Sequence, residues 1–305
     1  MPRFKLTIEY AGTRYSGWQI QKNARTIQGE IDRAVRTVTG RTDFELYGSG
    51  RTDAGVHALA QVAHLDVSTT LPPDTLLRRL NDELPADINL MDAVVVPHRF
   101  HARHDVIARR YVYQIATRRT AFAKPFVWWV KEPLNVDRMR AAAAAFVGMR
   151  DFQSFAQADD DHQEAGPEPI SRTRREGRRG STRELPSEAK SGASTMVLVE
   201  QLDVVDESDL ILVGILGSHF LWKMVRRVVG VLVEIGRGGL LPEAAATLLT
   251  TSSATPARLT APASGLFLER VWYPGETRHV PLRAATPLLQ AGSRRTPSTS
   301  RTTSA

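Results

Sequence analysis

FELY-GSGRTDAGVH-ALAQVAHLDV, residues 44–67, consists of two apolar stretches joined by a polar, glycine-rich one. Phe44–Tyr47 is a short strand, and Ala58–Val67 alternates apolar and polar residues as a half-buried strand does. Between them, glycines at 48, 50 and 55 permit backbone angles that other residues avoid and leave room for a close ligand. Asp53 stands at the centre of this loop, with Arg51 two residues before it. The loop therefore displays a carboxylate at a strand end with a cation nearby. Residue chemistry alone leaves two readings: a reactive carboxylate, or an Asx-type turn in which Asp53 caps backbone N–H groups. The glycines do not form G-x-G-x-x-G before a helix, and no G-K-[ST] follows, so a phosphate-cradling nucleotide loop is disfavoured.

Outward from this loop, strands and helices interleave. On the N-terminal side, Lys5–Tyr10 reads as a strand. Ile27, Ile31, Ala34, Val35 and Val38 recur at helical spacing, with Thr26 as N-cap and Gly40 as stop. On the C-terminal side come a helix over Pro72–Glu83 and a strand over Ile88–Val96. The pattern then repeats. Ala108–Thr117 is a strand and Val136–Gly148 a helix. Met196–Val205 and Leu210–Gly217 form a hairpin, and His219–Glu234 is a helix closed by Gly236. Pro242–Leu249 is a short helix and Leu266–Tyr273 a last strand. The expected fold is α+β, with two related halves flanking a central basic cleft. Each half is an antiparallel sheet with helices packed on one face. The boundaries are 1–105 for the half with the Asp53 loop and 106–276 for the second. Residues 157–194 and 277–305 lack apolar periodicity and are expected to be a disordered insert and a disordered basic tail.

Composition narrows the chemistry. The chain has 305 residues and no cysteine, which excludes disulfides, thiolate catalysis and Cys-based metal sites. His98, His101 and His104 fall three apart, but no spaced carboxylate completes a metal set. A solvent- or RNA-facing role, rather than a metal site, is the expectation for them. No apolar run is long enough for a membrane span, and the N-terminus lacks a secretory h-region, so a cytoplasmic location is expected. The net charge of +7 permits nucleic-acid binding without establishing it. Much of it resides in the tail from Arg278, with five arginines and no acid.

GRTDAGVHA at 50–58 resembles the active-site signature of the TruA-type tRNA pseudouridine synthases. Four further segments, in the family's order, resemble its motifs: YAGTRYSGWQIQ at 10–21, FHARHDVIARRYVY at 100–113, HFLWKMVRRVVGVLVEIGRG at 219–238 and APASGLFLERVWYP at 261–274. The 157–194 segment is longer than is usual in the family, and the tail is an addition. The resemblance implies an isomerase acting on uridine in the tRNA anticodon stem-loop, at tRNA positions 38–40. It further implies no cofactor and a homodimer. Asp53 is implied as the essential carboxylate, acting either as a nucleophile at C1′ or as a base at C2′. Tyr111 is implied as the pocket tyrosine, Arg226 of MVR as the partner of Asp53, and Leu266 as an apolar wall. Arg51 would fill the space of a flipped base or hold a phosphate. Arg14, Lys22, Arg103, Arg109 and Arg110 are candidate phosphate contacts. Tyr113 is expected in the core, and Arg227 is expected to face solvent or a phosphate, since helix neighbours diverge by about 100°. Two other classes stay open: an inert RNA-binding module, and a glycosidase-like hydrolase needing a second carboxylate.

Overall fold

In the computed structural model of the protein, residues 1–157, 194–278 and 281–288 are described. Nearly all of the 157–194 insert and much of the 277–305 tail therefore lie outside the described residues. The N-terminal half comprises β1 (Arg3–Tyr10), α1 (Ile27–Thr39), β2 (Glu45–Gly48), β3 (His57–Asp66), α2 (Pro73–Glu83) and β4 (Ile88–Val96). The C-terminal half begins with β5 (Ala108–Ala116), β6 (Trp128–Trp129), α3 (Val136–Ala143) and β7 (Gly148–Asp151). It continues with β8 (Met196–Glu207), β9 (Leu210–Gly217), α4 (Met224–Arg237), α5 (Ala244–Thr250), α6 (Thr255–Arg258) and β10 (Leu266–Trp272). The fold is α+β. Among the described residues no helix is long and apolar enough to cross a membrane.

Local chemistry sets the elements. In β1 every second residue is buried, so Phe4, Leu6, Ile8 and Tyr10 line one face. Thr26 caps α1 by accepting the Gly29 N–H at 3.2 Å, and Gly40 ends it with φ 66°. Ile27, Ile31, Ala34 and Val35 press the helix onto β1 and β3. A second cluster under the C-terminal half joins Tyr113, Ile115, Val213 and Ile215 of the sheet to Met224, Val228 and Leu232 of α4.

The two expected sheets are one. Its order is β4-β1-β3-β10-β5-β9-β8-β7, with β2 on β3 and β6 on β5. The final strand makes the join: β10 runs parallel to β3 through Phe267–His57 and Leu268–Ala58, and antiparallel to β5. Inserting the last strand here pairs two edges that would otherwise be open. Helix bounds also differ from the sequence reading. α3 ends at Ala143 and passes through a 3-10 turn over Ala144–Phe146, because Phe146 turns into the core. α4 begins at Met224 rather than His219, after a turn in which Lys223 takes φ 61°. It runs through Gly236, where a Cβ would meet Met139 Sδ at 2.9 Å, and stops at Gly238 with φ 87°.

The tail differs as well. All eight residues of β9 are buried, so both of its faces are covered. α4 and its neighbours cover one face. On the other, Leu282, Ala284 and Leu288 pack against Ala116, Leu210 and Leu212. Gln114 fixes this strap by donating to Thr286 Oγ1 at 2.8 Å and accepting the Thr286 N–H at 3.1 Å. Residues 281–288 thus belong to the packed body.

Candidate active site

The Asp53 loop leaves β2 and enters β3, and its neighbours hold it nearly residue by residue. The Ser49 N–H donates to Val62 O at 2.7 Å, and Ser49 Oγ donates to Gln61 Oε1 at 2.5 Å. Gln61 Nε2 donates to Gly50 O at 3.0 Å. The Tyr10 and Thr52 hydroxyls share a buried bond of 2.8 Å. Thr52 O accepts the Trp18 N–H at 3.0 Å, where the two backbones approach closely at Gly17 (φ 92°); a Cβ there would stand 2.4 Å from Thr52 O. Asp53 O accepts the Val56 N–H at 3.1 Å, closing a turn. These bonds use the backbone and the flanking side chains, and leave the Asp53 carboxylate free to project. The capping reading is not realised, since the contact made by the carboxylate is with a side chain.

That side chain is Arg226. Its guanidinium donates from one terminal nitrogen to Asp53 Oδ2 at 3.3 Å, and from Nε to Ala261 O at 2.7 Å. The fork is fixed at one carbonyl and presents charge to the carboxylate. The side chains of Arg226 and Asp53 are 16% and 24% exposed, so the pair is screened from bulk water but open on one side. Arg227 does not face solvent. It is buried and donates to Ala156 O, its Nε has no partner, and burial pushes its pKa down.

Tyr111 lies on β5 facing the same region. Its ring meets Phe220 edge-on, with centroids 5.2 Å apart at 89°. Burial first, and then the Asp53 charge, push its phenol up to about 12 against a counteracting pull from Arg109. The hydroxyl is therefore protonated at neutral pH. Tyr113, two residues on, is wholly buried and donates to Pro262 O at 2.7 Å, a core residue. Leu266 opens β10 opposite Tyr113 and is 5% exposed within the same cluster.

The other sequence candidates separate by position. Arg51, Arg14, Lys22 and Arg103 are exposed and available to a phosphate. Arg110 is not: it points to the opposite sheet face, with a 6% exposed side chain, and pairs Glu269 at 3.0 Å. Strand alternation forces this, because Arg109 and Tyr111 already occupy the face toward Ser49 and Phe220. Arg109 donates to Ser49 O at 2.8 Å and Ser218 O at 3.0 Å. His101 and His104 are in ring contact at 4.1 Å, and among the described residues no His, Cys, Asp and Glu cluster suits a metal.

Sequence reasoning missed Phe220, the loop-holding Tyr10, Ser49 and Gln61, and two grooves, one of which touches the loop at Gly55. One, of about 500 Å³, is lined by Arg14, Arg25, Asp87 and Phe126 among others. The other, of about 490 Å³, is lined by Thr13, Gly55, Lys124, Pro125 and Ser264. The run RRTAFAKPFVWW at 118–129, basic and aromatic together, was the available signal for Lys124.

The family described as tRNA pseudouridine synthase matches residues 6–105 and 142–274. A tRNA pseudouridine synthase A of Rhodopseudomonas palustris (strain BisA53) is 39% identical over 276 residues, covering 90% of this chain and all of that protein. The tRNA pseudouridine synthase A of Caulobacter sp. (strain K31) is 36% identical over 279 residues, with 90% and 100% covered. That of Limosilactobacillus fermentum is 35% identical, with 90% and 96% covered. By these matches the chain belongs to the tRNA pseudouridine synthase family.

Proposed function

We propose that the protein isomerises uridine to pseudouridine in the anticodon stem-loop of tRNA, with Asp53 as the essential carboxylate. The observation that supports this most is the Arg226–Asp53 pair at 3.3 Å, which brings together residues 173 apart in sequence. A structural surface pair would not need the loop around Asp53 to be held by Tyr10, Trp18, Gln61 and Val62.

The reaction breaks N1–C1′, makes C5–C1′ and keeps every atom of the nucleotide except the C5 proton, which exchanges with solvent. In one route Asp53 forms an ester at C1′ as uracil leaves; C5 then attacks C1′ and the carboxylate departs. In the other, Asp53 removes the C2′ proton, uracil leaves a glycal, and the proton returns as C5 adds. Both start from the carboxylate, and both need uracil held while detached. Tyr111 suits the holding: its ring forms a wall, and a protonated phenol donates a hydrogen bond to a uracil oxygen. It could take the C5 proton only while passing on its own. Arg226 orients Asp53, Leu266 contributes apolar wall, and exposed Arg14, Arg51, Lys22 and Arg103 offer charge to the phosphates. Extruding the base from its stack costs a few kcal/mol, which phosphate contacts offset.

The same reading includes the division into halves at 1–105 and 106–276, supported by two main apolar clusters on a shared sheet, with Leu268 and Val271 of the last strand and Tyr273 just after it crossing into the first half's cluster. A homodimer and a cytoplasmic location rest on the family and on composition. The deciding experiment uses purified protein and tRNA labelled at C5 of uridine. The wild type should release the label and form pseudouridine at positions 38–40. Asp53→Asn should bind tRNA within about threefold of wild type and release none, since the amide keeps the shape without the reacting charge. Free uracil would indicate a hydrolase, and unchanged uridine a binding module.

A further inference from the structure

Arg109 is the one candidate phosphate contact whose side chain is enclosed beside the Asp53 loop, and its partners are unusual. Both are backbone carbonyls, Ser49 O and Ser218 O, and they come from different halves of the chain. Among the described residues no carboxylate pairs with it at ion-pair distance. Enclosing a cation against neutral dipoles alone is expensive when a neutral donor could bond the same carbonyls. A guanidinium offers something a neutral side chain or an ammonium does not: a rigid planar fork whose arms reach two acceptors at a set separation.

The two acceptors mark the segments that carry the chemistry. Ser49 opens the loop bearing Asp53, four residues on. Ser218 opens the turn that places Phe220 against Tyr111 and then starts α4, which bears Arg226. Arg109 itself sits on β5, two residues from Tyr111. A single guanidinium is thus the common reference for Asp53, Arg226 and Tyr111. The Asp53–Arg226 contact is long at 3.3 Å, so a small drift of either segment breaks it.

We propose that Arg109 is a positioning residue: it ties the Asp53 loop to the turn entering α4 and so sets the Asp53–Arg226 and Tyr111–Phe220 geometry, rather than contacting tRNA phosphate. This rests on the proposed isomerase function, and the wild type in each assay separates failure of that function from failure of this inference. Arg109→Met keeps the buried stem and removes the fork; Arg109→Lys keeps the charge and can satisfy one carbonyl well. Single-turnover label release at saturating tRNA should fall about 30–100-fold in Arg109→Met, as expected for reacting groups displaced by an ångström. It should fall about tenfold in Arg109→Lys, since charge without the fork restores only part of the geometry. The dissociation constant for tRNA should stay within about threefold and its salt dependence unchanged, because no phosphate contact is lost. Amide exchange across residues 49–54 should quicken in both variants. Weaker tRNA binding with a shallower salt dependence and an unchanged rate would make Arg109 a phosphate contact and overturn the inference. So would full activity in Arg109→Lys, which would show that charge alone suffices. If Arg109→Met does not fold, the Lys variant still decides between these outcomes.

Discussion

Replacing Arg226 with methionine removes the charge opposite Asp53 while keeping most of the stem that packs along α4. Two unit charges at the observed 3.3 Å attract by about 5 kcal/mol in a medium of effective dielectric near 20. Desolvation and the remaining water contact, 24% at the carboxylate, take back about half. About 2.5 kcal/mol of orientation and charge stabilisation would be lost, which is roughly 70-fold in rate. Because Arg226 also holds Ala261 O through Nε, Arg226→Lys should recover charge but not both bonds, and should sit near a tenfold loss. The assay is label release from C5 under single turnover, with enzyme well above its dissociation constant. Saturating tRNA cannot restore the pair, so the loss must persist there. A normal rate at saturation, with weakened binding whose salt dependence is shallower by about one charge, would show Arg226 to be a phosphate contact and refute the argument.

Arg227→Met should keep the saturated rate within about threefold, because Arg227 reaches Ala156 O and not Asp53; its melting temperature should change little or rise, as a buried charge is removed. A rate loss matching that of Arg226→Met would show that the two arginines act together. Ending the chain after Arg278 should lower the melting temperature by several degrees while leaving label release within about threefold, since the strap covers Leu210, Leu212 and Gln114 on the face away from Asp53. Unchanged melting would mean that residues 281–288 contribute nothing to the packed body. His57 and His64 are both pushed down to about 4 by burial, against about 6.5 in the unfolded chain. Between those values the unfolded chain binds more protons, so stability falls as pH drops, by about 3 kcal/mol for the pair on going from pH 7.5 to 5.5. Melting curves at the two pH values should differ by about 6–12 °C, and equal curves would show that the rings are not held neutral.

The elements of the N-terminal half were legible because each declares its own face. Alternation in Lys5–Tyr10 and helical spacing from Ile27 to Val38 are local signals, and Thr26 and Gly40 mark the helix ends chemically. The continuity of the sheet was not legible, because nothing local to Leu266–Trp272 says which two strands it will separate. For residues 281–288 the signal lies in another element. LILVGILG at 210–217 is apolar on both strand faces, which already required two covering layers. The helices supply only one, so some other segment had to supply the second, and PLRAATPLL at 281–289 was the apolar stretch left over.

The two adjacent arginines of α4 take different acceptors. Divergence by about 100° correctly implies that only one of them can face Asp53. It does not imply that the other reaches water. Val225, Val228, Val229, Val231, Leu232, Val233 and Ile235 are buried, so apolar residues surround most of this helix, and such a helix lies inside a core. Each arginine must then find an internal acceptor or open a path to solvent. Arg226 reaches the Asp53 carboxylate and Arg227 reaches the Ala156 carbonyl. The acceptor, and not the charge or the motif position, separates the two. A carboxylate that a cation holds in place can still react, whereas a backbone carbonyl in the same position can only be held.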